Sequence, residues 1–210
     1  MRNGITMSET YHIELFFDND RIEENIIETI LSSLYAIKFQ IEKKGIHPTS
    51  DFQGTPDNQK SKKKMTALIH SQGGRIEGRG YGIDMVYFHN RLDLLPEYEC
   101  GPLMRYSKIH LYLNEYQVNE NGWDKYDLLL RDLCKCLQPE LGLFYYYQTG
   151  DNVEKFIEGK TAILDLTSLR VFYFDKSLEK YFPSGVKSLA SKYHLEDMKH
   201  GWFGLAKPES

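Results

Sequence analysis

The clearest secondary-structure signal in the sequence is the heptapeptide Tyr11-His12-Ile13-Glu14-Leu15-Phe16-Phe17. Its odd-numbered positions are all large and apolar, which is the alternation typical of a β-strand with one buried face. Three Asp and Asn residues at 18–20 end this pattern, and isoleucine and leucine then recur at helical spacing through 22–41. Lys43 suits the C-terminal end of a helix, where cations are favoured, and Gly45 follows as a stop. The sequence therefore predicts a strand followed by a helix.

A second strand and helix follow in the latter part of the chain. Ser107 to Leu113 alternates as the first strand does, Asn121 is the predicted N-cap of a helix, and the helix ends before Pro139. Further strands are predicted at 65–71, 80–89, 141–148, 161–166 and 169–174, and short helices near 177–181 and 184–193. We expect one α+β domain of two similar β-α-β-β halves, at about 8–90 and 105–205. The halves should form a mainly antiparallel sheet with helices packed on one face, followed by short C-terminal helices.

Composition places the chain among folded proteins. The 210 residues are 41% hydrophobic with a net charge of −4, enough apolar material for a core and too little charge for a disordered chain. The sequence contains no apolar run long enough to span a membrane and no N-terminal secretion signal, and its number of cysteines is odd. A reducing cytoplasm is therefore expected. The polar segment 48–64 ends in a lysine run and is predicted to be a flexible, solvated loop. The acidic balance argues against nucleic acid or a membrane surface as partner.

Motifs for metals, cofactors and nucleophiles are missing from the sequence. It contains no HExxH, CxxC, P-loop or G-x-S-x-G pattern, so we predict neither a metal site nor a cofactor. The glycine-rich segment 73–80 is predicted to connect two strands. Its free backbone N–H groups, with Arg75 and Arg79, form a candidate anion site, and the alternative is a charged connection that binds nothing.

Two histidines occupy matching places in the first strand of each half. His12 and His110 alternate with the buried positions and so point to the polar face, beside Glu14 and Tyr112. This pair resembles the 2H phosphoesterases, in which two His-x-Thr/Ser-x strands supply an acid and a base for phosphodiester chemistry. The resemblance implies that His12 and His110 are a catalytic pair. The sequence departs from that pattern because Glu14 and Tyr112 replace the two hydroxyl residues, and the alternative is two ordinary strand histidines.

The aromatic content favours a different function. The chain has 15 Tyr, 11 Phe and 2 Trp, and tyrosines are common anchors of protein interfaces. The predicted partner-binding residues are three tyrosines with an acidic rim, namely Tyr112, Tyr146, Tyr173, Glu14, Glu115 and Asp165. The same rings could instead fill a core or an oligomer interface. We therefore expect a non-catalytic, cytoplasmic protein-binding module that blocks a basic partner, in the manner of bacterial immunity and antitoxin proteins.

Overall fold

Strand pairing organises the part of the chain that the structure describes. The computed structural model describes residues 10–18, 40–45, 74–80, 83–89, 106–146, 169–182 and 185–207. The strands are β1 (Thr10–Asp18), β2 (Gln40–Gly45), β3 (Gly74–Gly80), β4 (Ile83–His89), β5 (Tyr106–Asn114), β6 (Leu141–Tyr146), β7 (Leu169–Asp175), β8 (Tyr193–Asp197) and β9 (Gly201–Ala206). They form one antiparallel sheet in the order β2-β3-β4-β5-β1-β6-β7-β9-β8. The expected α+β class with an antiparallel sheet is confirmed.

Two α-helices lie between β5 and β6. They are α1 (Glu115–Asn121) and α2 (Trp123–Leu137). The predicted N-cap at Asn121 is wrong, because that residue ends α1 and Gly122, at a φ of 79°, precedes α2 instead. The predicted end of α2 is confirmed: Gln138 turns into the left-handed conformation, and its N–H bonds to the carbonyl oxygen of Cys134 at 2.9 Å. No described helix has the length and apolar character needed to cross a bilayer.

Each face of the sheet carries its own core. The α-helices cover one face, where they pack on the odd-numbered positions of β1 and β5; this core includes Ile13, Leu15, Ile109, Leu111, Leu130, Leu133, Phe144 and Val171. Two 3-10 helices, Lys176–Tyr181 and Val186–Ser191, pack near the opposite face, where the core includes Phe16, Leu143, Leu169, Phe172, Phe174, Phe182, Val186 and Leu189. The two described α-helices thus lie on one face, as predicted for the helices that pack on the sheet, and the short C-terminal helices, whose side was not predicted, contribute to the core of the other face.

Two segments have a different structure from the one predicted. Residues 40–45, predicted as the last turn of the first helix, form β2 and pair with β3. The glycine-rich segment, predicted as a connection, is β3 itself and pairs with β2 and β4. In both cases pairing with neighbouring strands outweighs the local pattern, as often happens for short or glycine-rich stretches. The hairpin of β8 and β9 was not predicted.

The idea of two repeated halves stays a prediction. The central strand β1 lies between β5 and β6, so one strand of the first predicted half is inserted between two strands of the second. The predicted helix at 22–39, the loop at 48–64 and the strands at 65–71 and 161–166 lie outside the described residues. The strands predicted at 11–17 and 107–113 are confirmed as β1 and β5, and both belong to the sheet.

Candidate functional site

A polar cluster lies on the sheet face opposite the α-helices. Alternation along β1 places His12 and Glu14 on that face, and alternation along β5 places Lys108, His110 and Tyr112 beside them. The register sets Glu14 directly opposite His110 and His12 opposite Tyr112. The cluster is therefore built from two neighbouring strands that are distant in sequence.

Glu14 is the anchor of this cluster. It is only 5% exposed, and its carboxylate accepts hydrogen bonds from Lys108 Nζ at 2.7 Å and from the Tyr145 hydroxyl at 2.7 Å. Burial acts to raise the pKa of Glu14, but the charge of Lys108, the neighbouring His110 and these two hydrogen bonds hold it below its ordinary value. Glu14 is consequently ionised at neutral pH and paired with a cation. Burial, together with the adjacent carboxylate, raises the pKa of Tyr145, which stays a hydrogen-bond donor.

The two histidines bond directly to each other. His12 Nδ1 lies 2.8 Å from His110 Nε2, and His110 Nδ1 lies 3.5 Å from Glu14 Oε1. Burial lowers the pKa of His12, and lowers that of His110 to about 4, so both imidazoles are neutral at pH 7. A phosphate held between an acid and a base needs room between the two rings, which this bond closes. Two neutral imidazoles also lack a general acid, so the geometry does not favour the 2H phosphoesterase arrangement.

Aromatic rings fix the histidines in place. The Tyr112 ring stacks on His110 with centroids 3.9 Å apart and planes inclined by 28°, and Tyr145 stacks on His12 at 5.5 Å. Tyr112 is nevertheless 38% exposed, and His12 is half-buried. One tyrosine is thus presented to solvent while its position is set by a buried network.

The predicted partner-binding residues fall in different environments. Tyr112 lies at the surface, but Tyr173 is only 1% exposed, so its predicted exposure is wrong. The physical reason is that cores on both faces of the sheet enclose β7, which leaves neither set of its side chains open. Glu14 is buried against Lys108 and is therefore not part of an open acidic rim.

The three other predicted partner-binding residues are Tyr146, which lies in β6, Glu115, which lies in α1, and Asp165, which lies outside the described residues. The acidic rim around the tyrosines therefore stays a prediction.

The candidate anion site at Arg75 and Arg79 has a different backbone structure from the one expected. Arg75 and Arg79 lie in β3, whose backbone pairs on both sides, so the free N–H groups expected of a glycine loop are engaged in the sheet. Cys134 is buried and Cys136 exposed on α2, because residues two apart on a helix point in different directions. Within the described ranges, no group of three or more His, Cys, Asp or Glu side chains is placed to hold a metal ion.

Two members of the cluster were missed by sequence reasoning. Lys108 lies two positions before His110 on the same strand face, and that spacing was a signal available in the sequence. Tyr145 donates to Glu14 from β6, which depends on the register between β1 and β6. Local alternation carries no information on such a register.

Comparison with known proteins identifies no family for this chain. No family model matches the chain, and no curated protein matches it. Among solved structures, the chain is similar to the Pseudomonas aeruginosa T6SS protein PA0821, with 8% sequence identity and a TM-score of 0.47, over 96% of this chain and 68% of that one. A likeness of this size carries no argument about function.

Proposed function

We propose that this protein is a non-catalytic module that binds another protein through the surface around Tyr112. We call this the Tyr112 surface and define it as Tyr112, His12 and Lys108, which lie on one face of β1 and β5. The observation that carries the proposal is the 38% exposed ring of Tyr112, stacked at 3.9 Å on the mostly buried His110.

The stacking of Tyr112 on His110 reduces the conformational entropy that would be lost when a partner binds. Immobilising a flexible side chain at an interface opposes association, whereas a ring already held in place contributes its contact area with little loss of freedom. Tyrosine combines a large apolar ring with a polar hydroxyl, and is enriched among the residues that dominate interface energies. A fixed, exposed tyrosine above a buried ionic network therefore suits recognition.

The charge of the chain favours a basic partner. A net charge of −4 attracts a positively charged protein over distances of about a Debye length and speeds association. We further propose that the protein acts in the cytoplasm as an immunity- or antitoxin-type inhibitor, covering a basic protein without performing chemistry. An inhibitor of this kind needs a surface that is complementary to its partner in shape and charge, with an aromatic anchor, and it needs no catalytic group.

The test compares Tyr112→Ala with a matched control. Leu128 is 54% exposed on α2, which covers the opposite face of the sheet, so Leu128→Ala removes a similar exposed side chain far from the Tyr112 surface. A partner is first captured from cells that express the protein naturally and then purified, and its affinity is measured by calorimetry.

We expect Tyr112→Ala to weaken binding by about tenfold or more, as for an interface hot spot, and Leu128→Ala to change it by less than about twofold. Thermal melting of both variants confirms that each is folded. Equal affinities for the wild type and Tyr112→Ala would contradict the proposal. A phosphodiesterase activity that disappears in His12→Ala would contradict it as well.

A further inference from the structure

The charge of Glu14 and the bond between the two rings together favour one tautomer of each histidine. Glu14 is an ionised carboxylate, and His110 Nδ1 lies 3.5 Å from its Oε1 atom. A lone pair facing a carboxylate at that distance would be repelled, whereas an N–H group is attracted. His110 Nδ1 is therefore the protonated nitrogen of that ring, and its Nε2 is a hydrogen-bond acceptor.

The same reasoning extends to His12. Its Nδ1 lies 2.8 Å from His110 Nε2, and since that atom is an acceptor, His12 Nδ1 must be the donor. The remaining nitrogen, His12 Nε2, keeps its lone pair in the neutral ring. In the part of the chain that the structure describes, this nitrogen has no hydrogen-bond partner, and its ring is half-buried. The network thus ends in one acceptor at the protein surface.

An aromatic ring lies beside that acceptor. The centroids of His12 and Tyr112 are 6.0 Å apart with their planes inclined by 74°, and the nearby charge of Lys108 is neutralised by Glu14. A guanidinium group has five N–H donors and no acceptor, and its flat face stacks on aromatic rings. Such a group could donate to His12 Nε2 and lie against Tyr112 at the same time.

We infer that His12 Nε2 is the recognition atom of the Tyr112 surface and that it accepts a hydrogen bond from an arginine side chain of the partner protein. This inference rests on the proposed function and adds the chemical group that is recognised. Arginine is favoured over lysine because the planar guanidinium satisfies both the acceptor and the ring, whereas an ammonium is a compact, strongly hydrated point charge. The net charge of −4 agrees with a partner rich in such groups.

The first experiment reads the protonation of the rings directly. Long-range ¹H–¹⁵N spectra at pH 7.5 report which imidazole nitrogen carries the proton, and the exposed His194 and His200 serve as internal references. We expect His12 and His110 both to carry the proton on Nδ1. A proton on His12 Nε2 would overturn the inference, because that nitrogen would then be a donor.

The second experiment adds a small probe. N-acetyl-arginine amide should shift the His12 Nε2 resonance and the ring protons of Tyr112, while the uncharged N-acetyl-citrulline amide should shift them much less. Equal shifts from the two probes, or none from the arginine probe, would overturn the assignment of arginine.

The third experiment uses two variants that divide the His12 ring. Asparagine presents its amide near the Nδ1 position, so His12→Asn keeps the donor toward His110 and loses the outer acceptor. Glutamine reaches the Nε2 position, so His12→Gln restores an outer acceptor. We expect His12→Asn to weaken partner binding by about tenfold and His12→Gln to weaken it by less than about threefold. An equal loss in both variants would overturn the inference.

The outcomes separate this inference from the proposed function. If Tyr112→Ala weakens partner binding and the arginine probe leaves His12 unmoved, the function stands and the arginine contact is wrong. If Tyr112→Ala leaves partner binding unchanged, the proposed function fails whatever the probe does.

Discussion

His12 Nδ1 lies 2.8 Å from His110 Nε2, although the two residues are 98 positions apart in the chain. They are diagonal neighbours, since His12 is opposite Tyr112 and Glu14 is opposite His110 in the ladder between β1 and β5. Because each ring also contacts a tyrosine, the pair is a packed part of the sheet surface. Replacing both histidines together would therefore disturb the fold as well as any surface role.

The buried histidines make stability depend on pH. His110 has a pKa of about 4 in the folded protein against 6.5 when unfolded, and burial lowers the pKa of His12 in the same direction. Below pH 6.5 the unfolded chain takes up protons that the folded protein does not, so stability is greatest above pH 6.5 and falls as the pH drops toward 4. For His110 the loss is about 3 kcal/mol, at 1.36 kcal/mol for each pKa unit.

Urea unfolding at several pH values between 7.5 and 4 measures this loss. Glu14 has a lowered pKa, so its own contribution is lost only below its unfolded value of 4.5, and the range from pH 6.5 to 4.5 is free of that loss. His110→Phe should flatten the dependence in that range. An unchanged slope in that variant would show that other groups cause it.

Glu14 and Lys108 should be strongly coupled. Glu14→Gln leaves the Lys108 ammonium beside a neutral amide, and we expect it to lower the free energy of unfolding by about 2 kcal/mol, because a partly buried charge loses its partner. Lys108→Met should cost a similar amount. The double variant should cost at least about 1 kcal/mol less than the sum, as measured by denaturant unfolding. Strict additivity would show that the two residues act independently.

Two arginine–carboxylate pairs with similar geometry allow a test of burial. Arg170 binds Asp127 through two hydrogen bonds of 2.8 and 2.6 Å and lies over the Trp123 ring at 4.6 Å, and the Asp127 side chain is buried. The exposed control is the Arg131–Glu196 pair, with hydrogen bonds of 3.0 and 2.7 Å.

We expect Arg170→Met to lower the free energy of unfolding by about 2 kcal/mol, since it leaves the buried carboxylate unpaired. Arg131→Met should lower it by less than about 1 kcal/mol, because water screens an exposed pair. Calorimetric melting at low and moderate salt measures both. A larger effect at Arg131 would contradict the argument.

The α2 helix packs tightly against β6 at Gly142. A methyl group added there would lie 2.9 Å from Cys134 Sγ and 3.1 Å from Leu15 Cδ2, nearer than packed atoms allow. We expect Gly142→Ala to lower the melting temperature, with an overpacking cost of about 1–3 kcal/mol. Cys134→Ala removes the opposing sulfur, so adding it to Gly142→Ala should recover part of the loss. A double variant no more stable than Gly142→Ala would contradict this view of the packing.

The sequence predicts the centre of the sheet better than its edges. β1 and β5 alternate over whole strands with one apolar face, so both could be recognised without the rest of the fold. β2 and β3 could not, because six or seven residues containing glycine have no clear period and become strands through their neighbours. The burial of Tyr173 depends on the α-helix side of the sheet, because its ring lies in the core that includes Leu130 and Leu133 of α2, and alternation along β7 does not show that this face is covered.

The candidate site, too, was predictable from the sequence only in part. Alternation predicts that His12 and His110 point to the polar face of their strands, with Glu14 beside His12. The diagonal contact between the rings and the bond from Tyr145 depend on how β1 is aligned with β5 and β6. Strand register is fixed by the assembled sheet, which is why these contacts were not predicted.

The central position of β1 has a consequence for synthesis on the ribosome. Its two neighbours, β5 and β6, are made roughly 100 and 130 residues later, which takes on the order of 10 s at ordinary translation rates. We therefore expect both edges and the apolar side of β1 to lack their final partners while the nascent chain grows. Unpaired strand edges and exposed apolar side chains favour aggregation and chaperone binding. Once β5 and β6 are made, closing these long-range pairs is a slow step that depends on topology, so we expect folding to follow synthesis of most of the chain.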